Sequence, residues 1–303
     1  MRIKIFLLIL SLVFAAAALA EGEKTLDLEW AKPDQPCGIR DDGVKPKAGD
    51  TWAEPVTGME FIWIPGGCFM QGSPAEEDGR YPDESPVHQT CVDGFWMGRY
   101  EVTNAQYRVY DPDHDSGVYQ GQTLNDDNQP VVNVSWEELM DFVWWLTEQH
   151  HGEHTFWLPT EAEHEYAARG GTTTSRFWGD DPCQACRYAN VADLTAKKVF
   201  TEWEVHECTD GYMVNAPVGK FLPNPFGLHD ILGNAWEWCQ DWNGEYPEGP
   251  VNNPTGPAES EHGRVVRGGS WDNLPSGVRS GNRSYATANF HRYNNGVRLI
   301  RLR

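Results

Sequence analysis

The sequence predicts an α+β domain with little regular secondary structure, on three observations. Two segments carry the capping signals of short helices, and a few short aromatic and β-branched runs end in Gly or Pro. The last ~130 residues are dominated by Gly, Pro, Asn and Trp, with only brief apolar stretches. Such a chain is held by side-chain contacts and bound ions more than by long regular elements.

Phe61-Ile62-Trp63-Ile64 before Pro65-Gly66-Gly67 reads as a short strand closed by a turn, and Gly94 to Tyr100 as a second short aromatic element. Between them, Ser73 to His88 is acidic, holds three Pro and is expected to be a solvated surface loop. Ser135 can cap a helix, because its hydroxyl accepts from an orphan amide and Glu138 stands three residues on; Leu139, Phe142, Val143 and Leu146 then form a buried face. Thr160 and Glu163 repeat that spacing for a second helix, which Gly170-Gly171 stops.

The formal charge is −21, from 24 Lys and Arg against 45 Asp and Glu. That balance argues against a nucleic-acid backbone binder and leaves cations as natural partners. A hydrophobic content of 40%, with 14 Trp, 12 Phe and 11 Tyr, is enough for a sizeable core and excludes a disordered acidic tail as a description of the whole.

Residues 1–20 read as a secretory signal peptide: basic Arg2 and Lys4, an apolar run from Ile5 to Phe14, and Ala18-Leu19-Ala20 before Glu21. An uncleaved membrane anchor is the competing reading. Cleavage would remove two cations and no acid, and no later stretch approaches the length of a bilayer span, so no stable membrane insertion is expected after processing. Residues 21–57, with Pro33, Pro36, Pro46 and Pro55, read as an extended leader, either packed onto a domain or partly mobile, and residues 58–303 as one domain. A periplasmic or secreted location follows.

Export permits disulfides among the seven Cys, one of which is left over by parity. Cys68 with Cys91 and Cys186 with Cys208 are plausible loop closures, although spacing does not fix the pairing. Cys183-Gln184-Ala185-Cys186 has redox-motif spacing, but it lies among Gly, Asp and Pro rather than between a strand and a helix. His150, His151, His154 and His164 lack the spacing that puts two metal ligands on one helical face, and a surface role is expected. There is no GxSxG elbow, phosphate-binding loop or dinucleotide fingerprint.

The densest organisation is Asn224 to Trp238. Asp230, Glu237 and the carbonyls of a Gly-containing bend offer the hard oxygen donors calcium prefers, and Asn190 and Asp210 flank a second oxygen-rich loop.

The chain resembles the formylglycine-generating enzyme and sulfatase-modifying-factor family. The resemblance runs through Phe61-Ile62-Trp63-Ile64-Pro65-Gly66-Gly67, Tyr100-Glu101-Val102-Thr103-Asn104, Leu158-Pro159-Thr160-Glu161-Ala162-Glu163, Gly233-Asn234-Ala235-Trp236-Glu237-Trp238, Arg267-Gly268-Gly269-Ser270-Trp271 and Gly296-Val297-Arg298. These signatures keep their order over residues 58–303. The resemblance implies a variant of the C-type lectin fold with bound calcium. By motif position, one ion would take side-chain oxygens of Asn190 and Asp210 and carbonyls of Val191 and Tyr212. The other would take side chains of Asp230 and Glu237 and carbonyls of Gly233 and Ala235. Asp230 stands where related chains can carry Asn, which keeps an oxygen ligand.

Catalysis in the enzyme proper needs two Cys after the Gly-Gly-Ser-aromatic motif, one of them a copper ligand. Here those positions are Asn273 and Val278, so a soft-thiolate copper site is not expected. The pattern is similar to that of a periplasmic branch linked to oxidation of a pyoverdine chromophore. Under that reading Arg267, Ser270, Trp271, Asp272, Asn273, Arg279, Arg283 and His291 are cleft candidates. Trp271 would stack an aromatic or peptide group, and Arg279 and Arg283 would position an anionic one. Core packing for Trp271 and scaffold bonding for the Arg pair are the alternatives. Two functions lead: an enzyme with altered cleft chemistry acting on a peptide-derived or siderophore-like substrate, and a noncatalytic module for a peptide-like or small-molecule ligand, a glycan or a protein; canonical copper-dependent oxidation of a peptidyl cysteine to formylglycine is the least favoured third.

Overall fold

The computed structural model describes residues 46–302; the expected signal peptide and all but the end of the expected leader lie outside them. The chain forms strands β1 (Thr51–Ala53), β2 (Glu60–Ile64), β3 (Gly67–Gln71), β4 (His88–Val92) and β5 (Phe95–Gly98), then helix α1 (Asn104–Tyr107). The hairpin β6 (Val118–Tyr119) and β7 (Gln122–Thr123), α2 (Trp136–Gln149), β8 (Thr155–Trp157), α3 (Glu161–Arg169) and α4 (Leu194–Lys197) follow. The C-terminal part adds β9 (Trp236–Trp242), β10 (Val251–Asn252), β11 (Arg264–Arg267), β12 (Arg283–Ala286), β13 (Asn295–Gly296) and β14 (Ile300–Leu302). This is an α+β fold with low regular content.

An antiparallel sheet in the order β1-β2-β5-β14-β8 inserts the last strand between β5 and β8. A second sheet runs β12-β11-β9-β13, and a third β10-β4-β3. Alternation along β2 explains why two cores form: Phe61 joins the cluster under α2, with Leu139, Phe142, Val143, Leu146 and Trp238, while Ile62 and Ile64 join Ala162, Ala167, Leu228 and Ile231 on the other side. Both faces of that sheet are buried.

Each main helix begins where its capping box places it. Ser135 Oγ accepts from the Glu138 amide, Thr160 Oγ1 accepts from the Glu163 amide, and the reciprocal carboxylate bonds close both boxes. Gly170 ends α3 at φ 57°, a left-handed cap that suits glycine.

The end of the expected leader is packed onto the domain, with Trp52 of β1 5.6 Å from Phe61 across the sheet edge. Three expectations change. Of the expected solvated loop 73–88, Glu84 and Ser73 are buried, because Arg279 draws Glu84 inward. The histidines are not uniformly at the surface: His150 is buried against Glu54 at 2.8 Å and His164 against Glu237 at 2.9 Å. The Trp-rich C-terminal part holds the seven-residue β9 in addition to its loops.

Candidate functional site

The Asp230–Ala235 turn is where the two expected oxygen sets meet. Asp230, Gly233 and Asn234 take positive φ of 56°, 83° and 60°. The turn docks on the following loop by two backbone bonds, Gly233 N to Gly268 O at 2.9 Å and Trp271 N to Asn234 O at 3.0 Å. Asn234 is the hub: its Oδ1 accepts from Asn190 Nδ2 at 3.0 Å and from the Ala216 amide at 2.9 Å, and its Nδ2 donates to Glu101 Oε2 at 2.6 Å.

Around this turn Glu101, Asp230 and Glu237 are all buried, with Arg298 as the guanidinium among them. Arg298 donates to Glu237 at 2.8 Å, and His164 donates to its other oxygen. Burial raises Glu237, but Arg298 and His164 outweigh it and hold the carboxyl below the usual range. Asp230 is pushed up to about 6, by burial first and with Glu237 adding to it. Glu101 is pushed well above the carboxylate range by burial and then by Asp230 and Glu237. Asp230 Oδ2 accepts from the Gly219 amide at 2.6 Å, while Oδ1 is buried with no partner. Excess buried negative charge and an orphaned carboxylate oxygen fit a hard cation.

The second set is built differently. Asp210 accepts from the amides of Val191 at 3.0 Å and Tyr212 at 2.8 Å, and its own amide donates to Asp193 at 2.6 Å. Burial pushes Asp210 up to about 7, against those amide bonds and with Asp193 adding to the rise. Asn190 Oδ1 is buried without a partner. The Cys186 sulfur lies within 4.8 Å of donor oxygens of Asp193 and Asp210, but it is bonded to Cys208 and is no thiolate. An oxygen-liganded cation fits here also.

Beyond Gly269, a polar cluster assembles from two segments, the loop after β11 and the loop before β13. Ser270 Oγ lies 2.5 Å from Asp272 Oδ1 and 2.8 Å from Asn273 Oδ1, and Asn294 Nδ2 donates to Asp272 at 2.8 Å. Tyr293 OH donates to Asp272 Oδ2 at 3.1 Å. Burial and the Asp272 charge push Tyr293 up to about 12, so it stays a proton donor at neutral pH. Ser270 is fully buried, whereas Asp272 and Tyr293 reach the surface beside Tyr119. Trp271 is 1% exposed and packs among Tyr119, Trp203 and Tyr293, the core-packing alternative; its Nε1 hydrogen has no acceptor.

The cationic cleft candidates are committed elsewhere. Arg267 bonds Glu165 at 2.6 Å, Arg283 bonds Glu161 at 2.6 Å, and Arg279 bonds Glu77 at 2.6 Å and Glu84 at 2.5 Å. All three guanidiniums are buried against carboxylates, so scaffold bonding replaces the expected anion positioning by Arg279 and Arg283. His291 is exposed and pairs with Glu138 at 2.8 Å, apart from the Ser270 cluster's bonds.

Disulfides join Cys68 to Cys91 and Cys186 to Cys208. Cys183 is an exposed thiol and Cys239 a buried one, while Cys37 lies outside the described residues. Asn273 Oδ1 accepts from the Ser270 amide at 2.7 Å and Val278 is wholly buried, so neither position offers sulfur. Sequence reasoning missed Glu101, Asp193, Asn234, Tyr293 and Asn294. Glu101 and Asn234 lie within quoted motifs, but burial and partners are needed to single them out.

The model of the sulfatase-modifying factor enzyme 1-like domain matches residues 47–303. The formylglycine-generating enzyme of Thermomonospora curvata is 31% identical over 266 residues, covering 70% of this chain and 82% of that one. The mouse formylglycine-generating enzyme is 29% identical, covering 72% and 67%. Among solved structures, PvdO from Pseudomonas aeruginosa matches with a TM-score of 0.73 and 27% identity over 86% of this chain and 100% of that one. Treponema denticola variable protein 1, at 23% identity and a TM-score of 0.67 over 85% of this chain and 100% of that one, shares the fold.

Proposed function

Because the chain belongs to the sulfatase-modifying factor enzyme 1-like family, we propose that it is a calcium-stabilised member whose cleft chemistry has changed, acting in oxidative maturation of a peptide-derived or siderophore-like substrate. The protein is periplasmic or secreted, in keeping with the two disulfides among the described residues, and no helix among those residues is long and apolar enough to cross a membrane. We read the fold as a variant of the C-type lectin fold.

The observation that carries the proposal is the content of the loop after Gly268-Gly269. It presents Asp272 at the surface, bonded to Tyr293 of the segment before β13, with Asn273 and Val278 at the positions where thiols would be needed. Asp272 would accept a proton from a bound ligand, Tyr293 would donate one, and Tyr119 beside them would face a planar group. The likeness to PvdO supports the siderophore-maturation reading. Asp230, Gly233, Ala235 and Glu237 would hold one calcium ion, and Asn190, Val191, Asp210 and Tyr212 the other. Bound calcium would supply positive charge to buried oxygens and rigidity to the turn that carries Asn234.

A noncatalytic recognition module for a peptide, glycan or protein is favoured by one observation, the burial of Ser270 within a closed set of hydrogen bonds. Elemental analysis of the mature protein, with oxygen uptake on a Cys-containing sulfatase peptide, tests the main reading. Calcium without copper and no oxidation of the peptide are expected; stoichiometric copper with peptide oxidation would overturn it. Asp272→Asn and Tyr293→Phe should then abolish turnover of a substrate found by screening. If they weaken binding and no ligand is turned over, the recognition reading stands instead.

A further inference from the structure

Starting two residues past Asp272 on the same loop, and lined by neither Asp272 nor Tyr293, a cavity of about 740 Å³ opens between the loop at 74–79, the turn at 173–176 and residues 274–276. That size lies in the range of small-ligand sites. Gly79 fixes one side: it has φ +75° and a Cβ there would sit 2.9 Å from Ser276 Cβ, so the two loops touch.

The lining combines two features of opposite sign. Arg176 is 4% exposed, and its Nε hydrogen is buried with no acceptor. Its other nitrogens reach Ser175 Oγ at 3.1 Å and the carbonyls of Asp180 at 3.2 Å and Pro275 at 2.5 Å, and it makes no ion pair among the described residues. A buried guanidinium donor left without an acceptor is costly, and a ligand oxygen would relieve it. The carboxylates of the lining divide in two: Glu77 is held by Arg279 and Asp180 by the Ser175 amide and hydroxyl, whereas Glu76, Asp78 and Glu204 are exposed and make no ion pair among the described residues.

We propose that this cavity binds a short basic peptide, with a main-chain carbonyl or terminal carboxylate oxygen accepting from Arg176 and a cationic side chain lying against Glu76, Asp78 and Glu204. Each half excludes other ligands. A phosphate or nucleotide would meet the acidic mouth, and a bare metal ion would leave Arg176 without its acceptor. Five carboxylates against one guanidinium in the lining favour a ligand with net positive charge. The inference does not depend on whether the Asp272 cleft is catalytic.

Calorimetric titration of the mature, calcium-loaded protein with Gly-Arg-Gly, Gly-Glu-Gly and butylguanidinium tests it. Gly-Arg-Gly should bind about tenfold more tightly than either of the others, because Gly-Glu-Gly replaces the cationic side chain with an anionic one and butylguanidinium lacks the oxygen. Substituting two exposed acids, Glu76→Gln with Glu204→Gln, should weaken Gly-Arg-Gly about threefold to tenfold at low salt and leave the melting temperature unchanged. The butylguanidinium comparison tests the Arg176 arm without disturbing a side chain that also holds the Pro275 carbonyl. No heat with Gly-Arg-Gly at millimolar concentration, equal binding of Gly-Glu-Gly, or an unaffected double variant would overturn the site. Equal binding of butylguanidinium would remove Arg176 from it.

Discussion

Arg264 shows what a single half-buried cation does in this protein. Its guanidinium carbon lies 3.8 Å from the ring centroids of both Trp136 and Trp242, and Nη1 donates to Gln240 O at 2.6 Å. Burial pushes the group down to about 10, which leaves it charged at neutral pH. Two partly desolvated ring contacts put the loss in Arg264→Ala at about 1–3 kcal/mol, with Arg264→Lys recovering part of it. Urea denaturation of both variants measures this, and equal loss in the two would remove the ring contacts from the explanation. His206 carries a different residue-scale effect. Its Nδ1 meets Pro182 O at 3.1 Å, its Nε2 is buried without a partner, and burial lowers it from 6.5 to about 4. The folded state therefore binds fewer protons than the unfolded state between those values. The stability due to neutral His206 is complete above pH 6.5 and falls away as pH drops towards 4, by about 3 kcal/mol. Carboxylates titrate over part of that range, so the test is a difference: His206→Gln should flatten the fall, and parallel curves for the two proteins would refute it.

At the scale of elements, the 230–235 turn is the most constrained piece of backbone. A Cβ on Gly233 would lie 2.4 Å from the Asn190 carbonyl at φ +83°, so both strain and a backbone clash oppose Gly233→Ala. A loss of about 2–4 kcal/mol is expected, read as a lower melting temperature at saturating calcium; a loss below about 1 kcal/mol would mean that the two oxygen sets move apart easily. Local chemistry explains which elements were legible beforehand. The starts of α2 and α3 depend on side chains three residues apart, Ser135 with Glu138 and Thr160 with Glu163, and both survive in the fold. Strand β9 hides its period because polar residues lie inside alongside Trp236 and Trp238: Glu237 faces Arg298, and Asp241 accepts from the Glu161 amide at 2.9 Å. Its partners lie far away in sequence. For the same reason Thr51–Ala53 shows no strand signal of its own, since β2 supplies its pairing and Phe61 its packing.

At the scale of the whole molecule, the oxygen-rich turns were legible from Asp230, Glu237, Asn190 and Asp210, but the charge balance was not, since Glu101 comes from 129 to 136 positions upstream of Asp230 and Glu237. Three buried acids around Arg298 leave the fold with protons or a cation as its means of neutralisation. The proposed calcium ion is a ligand of the native state alone, so at a free concentration about a hundredfold above its Kd it adds ~2.7 kcal/mol. For a domain of this size that corresponds to a melting temperature about 5–10 °C higher. Removing calcium with a chelator, confirming its removal by elemental analysis and restoring it by titration should lower and then recover that temperature. Asp230→Asn sharpens the test. It keeps an oxygen at the orphaned position but removes one of the mutually repelling charges, which relieves the metal-free protein and weakens the hold on the ion in the same step. The gap between metal-free and calcium-loaded melting temperatures should therefore narrow in Asp230→Asn. An unchanged melting temperature of the unsubstituted protein after verified metal removal would rule out calcium as a structural part of this turn.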